Sequence, residues 1–341
     1  MGFKVKSKQG FWGKLERPIF TLAPMADVTD AAFRLLIARR GKPHFFTTEF
    51  VSVDGLCSSG RENLLRDLKY HEIERPIVAQ LFGDKPDNYW KAAALMNELG
   101  FDGIDINMGC PMKVITKTGS GAALINTPDL AREIVQATID GAGDLPVSVK
   151  TRIGYSTATI EEWTSQLIEA NPVAITLHLR TRKEMSKVPA HWDEMPKAVE
   201  VARGSGVLIL GNGDVRSIEH AQELVEQTGV DGVMLGRAIY GNPWLFDRKR
   251  RRDEISLDEV FDTMLEHAHL FEEVFGDQKK FVIMRKHLMA YCSGFRGAKD
   301  FRRALENINC AADVETAIVG FRRITHDQRE ESTPSKGQPA A

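Results

Sequence analysis

Cysteine is scarce and scattered: Cys57, Cys110, Cys292 and Cys310 are the only four in 341 residues. With no CxxC pair and no metal-ligand spacing, they form neither a disulfide framework nor a zinc site, so reduced thiols and no metal are expected. Long apolar runs are missing too. No stretch reaches the roughly 18 uninterrupted apolar residues of a membrane span, and residues 1–10 are polar and basic, without the apolar segment of a signal peptide. These absences predict a cytoplasmic protein that does not touch a membrane. Nor is there an excess of one charge: the formal net charge is −2, too little for a chain that coats a polyanion by bulk charge.

What is present is an ordinary globular composition, 43% hydrophobic and 27% charged, on a chain long enough for one large domain and a smaller one. Eight short apolar, β-branched runs fall at 19–25, 45–51, 77–82, 103–108, 147–153, 173–180, 207–213 and 232–238. Amphipathic helical patterns lie between them at 30–40, 86–99, 128–140, 159–170, 195–203 and 217–227, several opening on Ser, Thr, Asp or Pro. Strand alternating with helix at this count predicts an α/β fold of the (β/α)8 TIM-barrel type over residues 1–252. From 255 to 324 only helical periodicity remains. Ser256 reads as an N-cap with Glu259 completing a capping box, which starts a smaller all-helical C-terminal domain at 253–328. The end, 329–341, is too polar to pack and is expected to be disordered.

Chemistry concentrates at the strand ends, where a parallel barrel opens its active site. The run IDINMGCP at 104–111 stops on Asn107, Gly109 and Cys110. An unpaired cysteine is commonly a small buried hydrophobe, yet here it shares a strand end with an amide and is fixed by a Gly-Pro turn. Other strand ends carry what a flavin mononucleotide site needs. Pro24, Met25 and Ala26 are small and apolar, suited to one face of a flat ring. Gln80 can donate and accept along a pyrimidine edge. Lys150 can place a positive charge near an anionic ring, and His178 and Arg180 project from the sixth strand. The last two strands end in Asn212-Gly213-Asp214 and Gly236-Arg237, loops where barrels bind phosphate.

Charge is uneven along the chain. Between 279 and 303, eight basic residues face the single acid Asp300, and 248–252 is an unbroken basic block. Such runs are either solvated helix faces or the footprint of a polyanion.

Several segments together carry a resemblance: LAPMADVTDAAFR at 22–34, VAQLFG at 78–83, DGIDINMGCP at 102–111, KTGSGAAL at 117–124, VSVKTRIG at 147–154, LHLRTR at 177–182, GNGDV at 211–215, GVMLGRAIYGNPWLF at 232–246 and RKHLMAYCSGFRGAKDFR at 285–302. The chain resembles the dihydrouridine synthases, flavoenzymes that reduce uridine in RNA to 5,6-dihydrouridine, over residues 17–325. The resemblance implies that Cys110 is the general acid and that Asn107 contacts both flavin and uracil. It further implies that Pro24, Met25, Ala26, Gln80, Lys150, His178, Asn212, Gly213, Asp214, Gly236 and Arg237 hold FMN. Lys117, Arg152 and Arg180 fall near the RNA, and the helical domain grips it through Arg285, Lys286, Arg296, Lys299 and Arg302. Transfer RNA is the implied substrate, NADPH the transient reductant, and a monomer is expected. The glycine-rich loop 117–121 is expected to close over an extruded base. The loop Ser186-Lys187-Val188-Pro189-Ala190-His191-Trp192 departs from the Tyr and Gly that many members carry ahead of Ala-x-Trp. The rival reading is an FMN enzyme acting on a free pyrimidine, similar to dihydroorotate dehydrogenase, which needs no RNA-gripping domain.

Overall fold

The structure, a computed structural model, describes residues 9–331. They separate into two compact units, one running to Ile239 and including Pro243–Lys249, the other formed by Tyr240–Asn242 and the residues from Arg250 on.

The first unit is a parallel barrel. Its strands are β1 (Ile19–Leu22), β2 (Phe46–Ser52), β3 (Ile77–Phe82), β4 (Gly103–Met108), β5 (Val147–Arg152), β6 (Ala174–His178), β7 (Leu208–Asn212) and β8 (Gly232–Leu235). All pair in parallel in the order β1-β8-β7-β6-β5-β4-β3-β2. Between β1 and β2 the closure is made by single bonds: His44 N–H to Phe20 O (3.0 Å) and Thr21 Oγ1 to Phe45 O (2.7 Å).

Six full helices cover the barrel: α1 (Ala31–Ala38), α2 (Pro86–Glu98), α3 (Pro128–Gly141), α4 (Ile160–Glu169), α5 (Met195–Ala202) and α6 (Ile218–Thr228). Their starts are encoded locally. Asp30 accepts from Phe33 N–H and Ser217 from His220 N–H, while Pro86 and Pro128 occupy first-turn positions where no N–H is needed. The alternation is broken twice. After β2 the chain makes two short α-helices, Val53–Leu56 and Arg61–Leu65, and the 3₁₀ turns Arg66–Leu68 and Glu72–Glu74, because Gly55 and the Ser58-Ser59-Gly60 run interrupt any longer helix; after β8 comes the 3₁₀ turn Arg237–Ile239.

One end of the barrel is plugged. Trp12, in the 3₁₀ turn Gly10–Lys14, is buried with Ile19, Phe45, Val78, Ala174 and Leu208 at the strand starts, its ring centroid 4.7 Å from that of Phe45. The functional groups therefore collect at the opposite, carboxyl ends of the strands.

The second unit is helical: α7 (Leu257–Phe275), α8 (Met284–Tyr291), α9 (Ala298–Ala304) and α10 (Ala311–Glu331). Ser256 caps α7 as its sequence suggests, accepting from Glu259 N–H, but the Glu259 carboxylate takes Arg250 (2.9 Å). Phe261, Phe295, Phe301 and Phe321 form its aromatic core, with ring centroids 5.0–6.3 Å apart. The tail expected from 329 coincides with the last turn of α10 for 329–331 and otherwise lies outside the described residues.

Candidate active site

Cys110 follows β4 directly and is held from several sides. Asn107, the penultimate residue of the strand, turns its Oδ1 onto the N–H groups of Gly109 (3.1 Å) and Cys110 (2.9 Å). Arg152 on β5 donates from Nε to Gly109 O (2.8 Å). The Cys110 carbonyl accepts from Ala122 N–H (3.1 Å), so the glycine-rich loop folds back onto the thiol's own residue. Burial pushes the Cys110 thiol up, against the opposing pull of a backbone N–H at Met112 and the charges of Arg152 and Lys150.

A polar chain runs beneath it. Asp105 takes Ser148 Oγ–H (2.6 Å) and Gln80 Nε2–H (2.7 Å); Gln80 Oε1 in turn accepts from Asn107 Nδ2 (2.9 Å). All but the Cys110 end are buried, and burial pushes the Asp105 carboxyl up while its two donors and Lys150 pull it down.

Beside this chain lies a cavity of about 720 Å³, within the range of roughly 300–1,000 Å³ typical of small-molecule sites. Ala23, Pro24 and Met25 form an apolar wall. Lys150, His178, Arg180, Asn212, Gly213, Asp214, Gly236 and Arg237 line the rest. Lys150 Nζ donates to Asn212 Oδ1 (3.2 Å), and among the described residues no carboxylate pairs with it. Desolvation, with Arg152 adding to it and Asp105 opposing, brings its pKa down to about 8. His178 is driven well below its ordinary pKa by burial and by Lys150, Arg152 and Arg180, so its imidazole is neutral. Asp214 pairs with Arg180 and also takes Arg237 (2.6 Å), placing two guanidinium groups at one end of the cavity.

The family-level comparison decides the assignment: residues 21–324 match the model of the family described as dihydrouridine synthase. The chain belongs to the dihydrouridine synthase family. It is thus an enzyme of a flavin-dependent oxidoreductase family. The chain is 39% identical over 320 residues to a probable tRNA-dihydrouridine synthase of Staphylococcus aureus (strain MRSA252), covering 92% of this chain and 96% of that protein. It is equally 39% identical to the probable tRNA-dihydrouridine synthase 2 of Bacillus subtilis (strain 168), over 92% and 97%. Among solved structures, a 2-naphthoyl-CoA reductase complex aligns with a TM-score of 0.53 at 12% identity, covering 66% of this chain and 49% of that one. A histamine dehydrogenase from Rhizobium sp. 4-9 aligns at 0.52 and 14%, covering 74% and 48%. These two likenesses show the fold alone.

Set against the family's chemistry, the cavity suits a flavin. A cation that no carboxylate among the described residues pairs with directly, an apolar wall and two guanidinium groups at one end match a flat heterocycle with an anionic tail. Not every residue named from the sequence lies there. Ala26 is exposed and does not line the cavity, and Gln80 is fully buried with both amide atoms engaged. Arg152 and Arg180, carried over as RNA contacts, sit inside the fold. Arg152 donates to the carbonyls of Gly109, Thr181 and Met185, and Arg180 to Val188 O, with Asp214 as its counter-ion. Lys117 is exposed on the turn after Cys110. In the helical unit, Lys286, Arg296, Lys299 and Arg302 are exposed, while Arg285 is held by Ile308 O and Arg302 donates to Cys292 O.

Sequence reasoning missed what the divergent 186–192 loop does. Trp192 lies over Gly211, where a Cβ would fall 2.4 Å from the indole, and donates from Nε1 to Gly213 O (2.8 Å). Ala190 N–H bonds Asp214 Oδ2 (2.9 Å), and His191 pairs with Glu184 (3.0 Å). The loop thus braces the end of the cavity where the arginines gather. The pairing of a lone Trp with glycines at 211 and 213 was its only signal.

Proposed function

We propose that this protein reduces uridine to 5,6-dihydrouridine in RNA, with transfer RNA as substrate, FMN in the Lys150 cavity and NADPH as reductant. The observation that carries the reading is a thiol just after β4 whose turn is fixed by Asn107 Oδ1 (2.9 Å) and Arg152 Nε (2.8 Å), near enough to the cavity lysine for the two to interact electrostatically. The relatives' names support tRNA as the substrate.

FMN held in this cavity would, once reduced, supply the hydride needed at C6 of the uracil. The charge left over C5 and the C4 carbonyl calls for a proton at C5. Cys110 is suited to deliver it, because a thiol above its ordinary pKa of about 8.5 stays protonated at neutral pH. Ala23, Pro24 and Met25 offer an apolar face for the ring, Lys150 its positive charge, and Gly213, Gly236 and Arg237 a place for the phosphate. Neutral His178 accepts from Arg180 Nη1 (3.3 Å) and keeps that guanidinium aimed along the cavity wall.

A stacked base cannot reach such a site, so the uridine must leave its stack at a cost of a few kcal/mol. Phosphate contacts offset this cost, and the exposed Lys286, Arg296, Lys299 and Arg302 of the helical unit, with Lys117 near the thiol, are the groups to make them. A cytoplasmic location accords with RNA as substrate.

The test is direct. Purified protein should release FMN on denaturation and, with NADPH under anaerobic conditions, add two hydrogens to one uridine of an unmodified tRNA transcript. Reduction of free uracil or orotate with tRNA untouched would favour the free-pyrimidine reading instead.

A further inference from the structure

We propose that Asp105 is a positioning residue for Cys110, acting through Gln80 and Asn107 by fixing which way each amide points. The inference rests on the reading of Cys110 as the proton donor.

The sheet register puts the parts in place. Asp105 on β4 is paired with Gln80 on β3 and Ser148 on β5, and Asn107 lies two residues along the same strand, hence on the same interior face. Amides are ambivalent, since exchanging O and NH2 changes little in shape but reverses every hydrogen bond. An ionised carboxylate has no such freedom; it only accepts, and the donors Ser148 and Gln80 together with the charge of Lys150 favour that form of Asp105 against its burial. With Ser148 Oγ–H on Oδ1 (2.6 Å), Oδ2 of Asp105 requires an N–H from Gln80 (2.7 Å). Gln80 must then present Oε1 to its other neighbour, which Asn107 meets with Nδ2 (2.9 Å). That leaves the Asn107 oxygen, and only the oxygen, facing the N–H groups of Gly109 and Cys110. Flipping either amide would set like groups face to face in a buried site.

The consequence falls on the thiol. Asn107 Oδ1 holds the turn that carries Cys110, while Arg152 holds the carbonyl of the same turn from β5. Around the sulfur, the Met112 N–H and the charges of Arg152 and Lys150 oppose the burial that keeps it protonated. A turn released from Asn107 exposes the sulfur, weakens the burial effect and leaves the two cations to act.

Site-resolved alkylation tests this without RNA. The full-length protein and its Asp105→Leu, Gln80→Met and Asp105→Asn variants are treated with iodoacetamide across pH, and modification of the Cys110 peptide is followed by mass spectrometry. Asp105→Leu and Gln80→Met are expected to speed Cys110 alkylation at neutral pH by roughly three- to tenfold, since the thiolate fraction changes tenfold per pKa unit. They should also lower kcat for RNA reduction. Asp105→Asn can turn either its oxygen or its NH2 toward Gln80, so it should fall between wild type and Asp105→Leu in both. Should Asp105→Leu fail to fold, Gln80→Met, which keeps shape and adds no charge, carries the same test. A wild-type alkylation profile in the folded Asp105→Leu and Gln80→Met proteins overturns the proposal. Failure of the wild-type protein to reduce RNA would instead count against the functional reading and leave the alkylation comparison intact.

Discussion

Gly121 lies directly against Cys110. A Cβ at Gly121 would sit 2.9 Å from the Cys110 carbonyl oxygen and 3.3 Å from its Cβ, and the glycine has a left-handed φ of +62°. The glycine-rich loop after the thiol is therefore part of the thiol's seat. Gly121→Ala should cost about 1–2 kcal/mol in stability from the left-handed backbone alone. It should also lower RNA reduction by more than tenfold, because the turn carrying the acid must shift. Urea unfolding beside an activity assay checks both; a variant with wild-type activity would show that the loop does not seat the thiol.

A group that acts as an acid works while it holds its proton. Because burial raises the Cys110 pKa above the ordinary thiol value, the rate of RNA reduction should stay level through neutral pH and fall only at alkaline pH. Single-turnover oxidation of the reduced enzyme by tRNA across pH measures this. A decline beginning near pH 7 would contradict a protonated-thiol mechanism.

Lys150 has the opposite sense. With its pKa near 8, its charge is present below that pH and lost above it, so an electron-rich ligand binds less tightly as pH rises from 7 to 9. Lys150→Met should weaken flavin binding by about 1.5–3 kcal/mol, roughly ten- to hundredfold in Kd. It should also flatten that pH dependence. Fluorescence titration of the apoprotein with FMN reads both effects.

Much of the barrel is legible in the sequence. The runs at 77–82 and 103–108 coincide with β3 and β4, since short, mostly apolar stretches rich in Ile and Val and bounded by polar turns leave little room for other assignments. The runs at 19–25 and 232–238 overshoot β1 and β8, because the chain leaves the sheet at Ala23 and Gly236 to line the cavity, with Ala23, Pro24 and Met25 as apolar as the strand residues before them. The positions of Cys110, Lys150 and Asn212 could be read from motifs at strand ends. The relay through Gln80 and Asp105 could not, since it depends on the register between β3, β4 and β5. The burial of Arg152 and Arg180 was hidden too, because an arginine that bonds backbone carbonyls has the same sequence signature as one that faces solvent.

Away from the site, Arg34 and Glu74 form an ion pair at 2.6 Å with both side chains fully buried. Arg34 also donates to Thr29 O and Lys69 O, and Glu74 accepts from His71 N–H, so the pair ties α1 to the segment entering β3. Glu74→Ala leaves a buried guanidinium without its counter-charge and should destabilise the protein by about 3–5 kcal/mol. An unfolding free energy within 1 kcal/mol of wild type, about the resolution of such comparisons, would show the pair to be dispensable.

If the helical unit grips RNA through its charges, Arg296→Glu and Lys299→Glu should weaken binding of every RNA alike. Each removed phosphate contact should reduce the slope of log K against log salt by about 1. Filter binding over a range of salt concentrations provides the slope, and an unchanged slope would mark these side chains as solvated surface.

The most direct test is mass-spectrometric mapping of dihydrouridine in total RNA from cells lacking the gene, complemented with either the wild-type or the Cys110→Ala protein. Dihydrouridine should disappear from a defined tRNA position on deletion, return with the wild type and stay absent with Cys110→Ala. Unchanged dihydrouridine at every position after deletion, or full restoration by Cys110→Ala, would contradict RNA reduction with Cys110 as the acid.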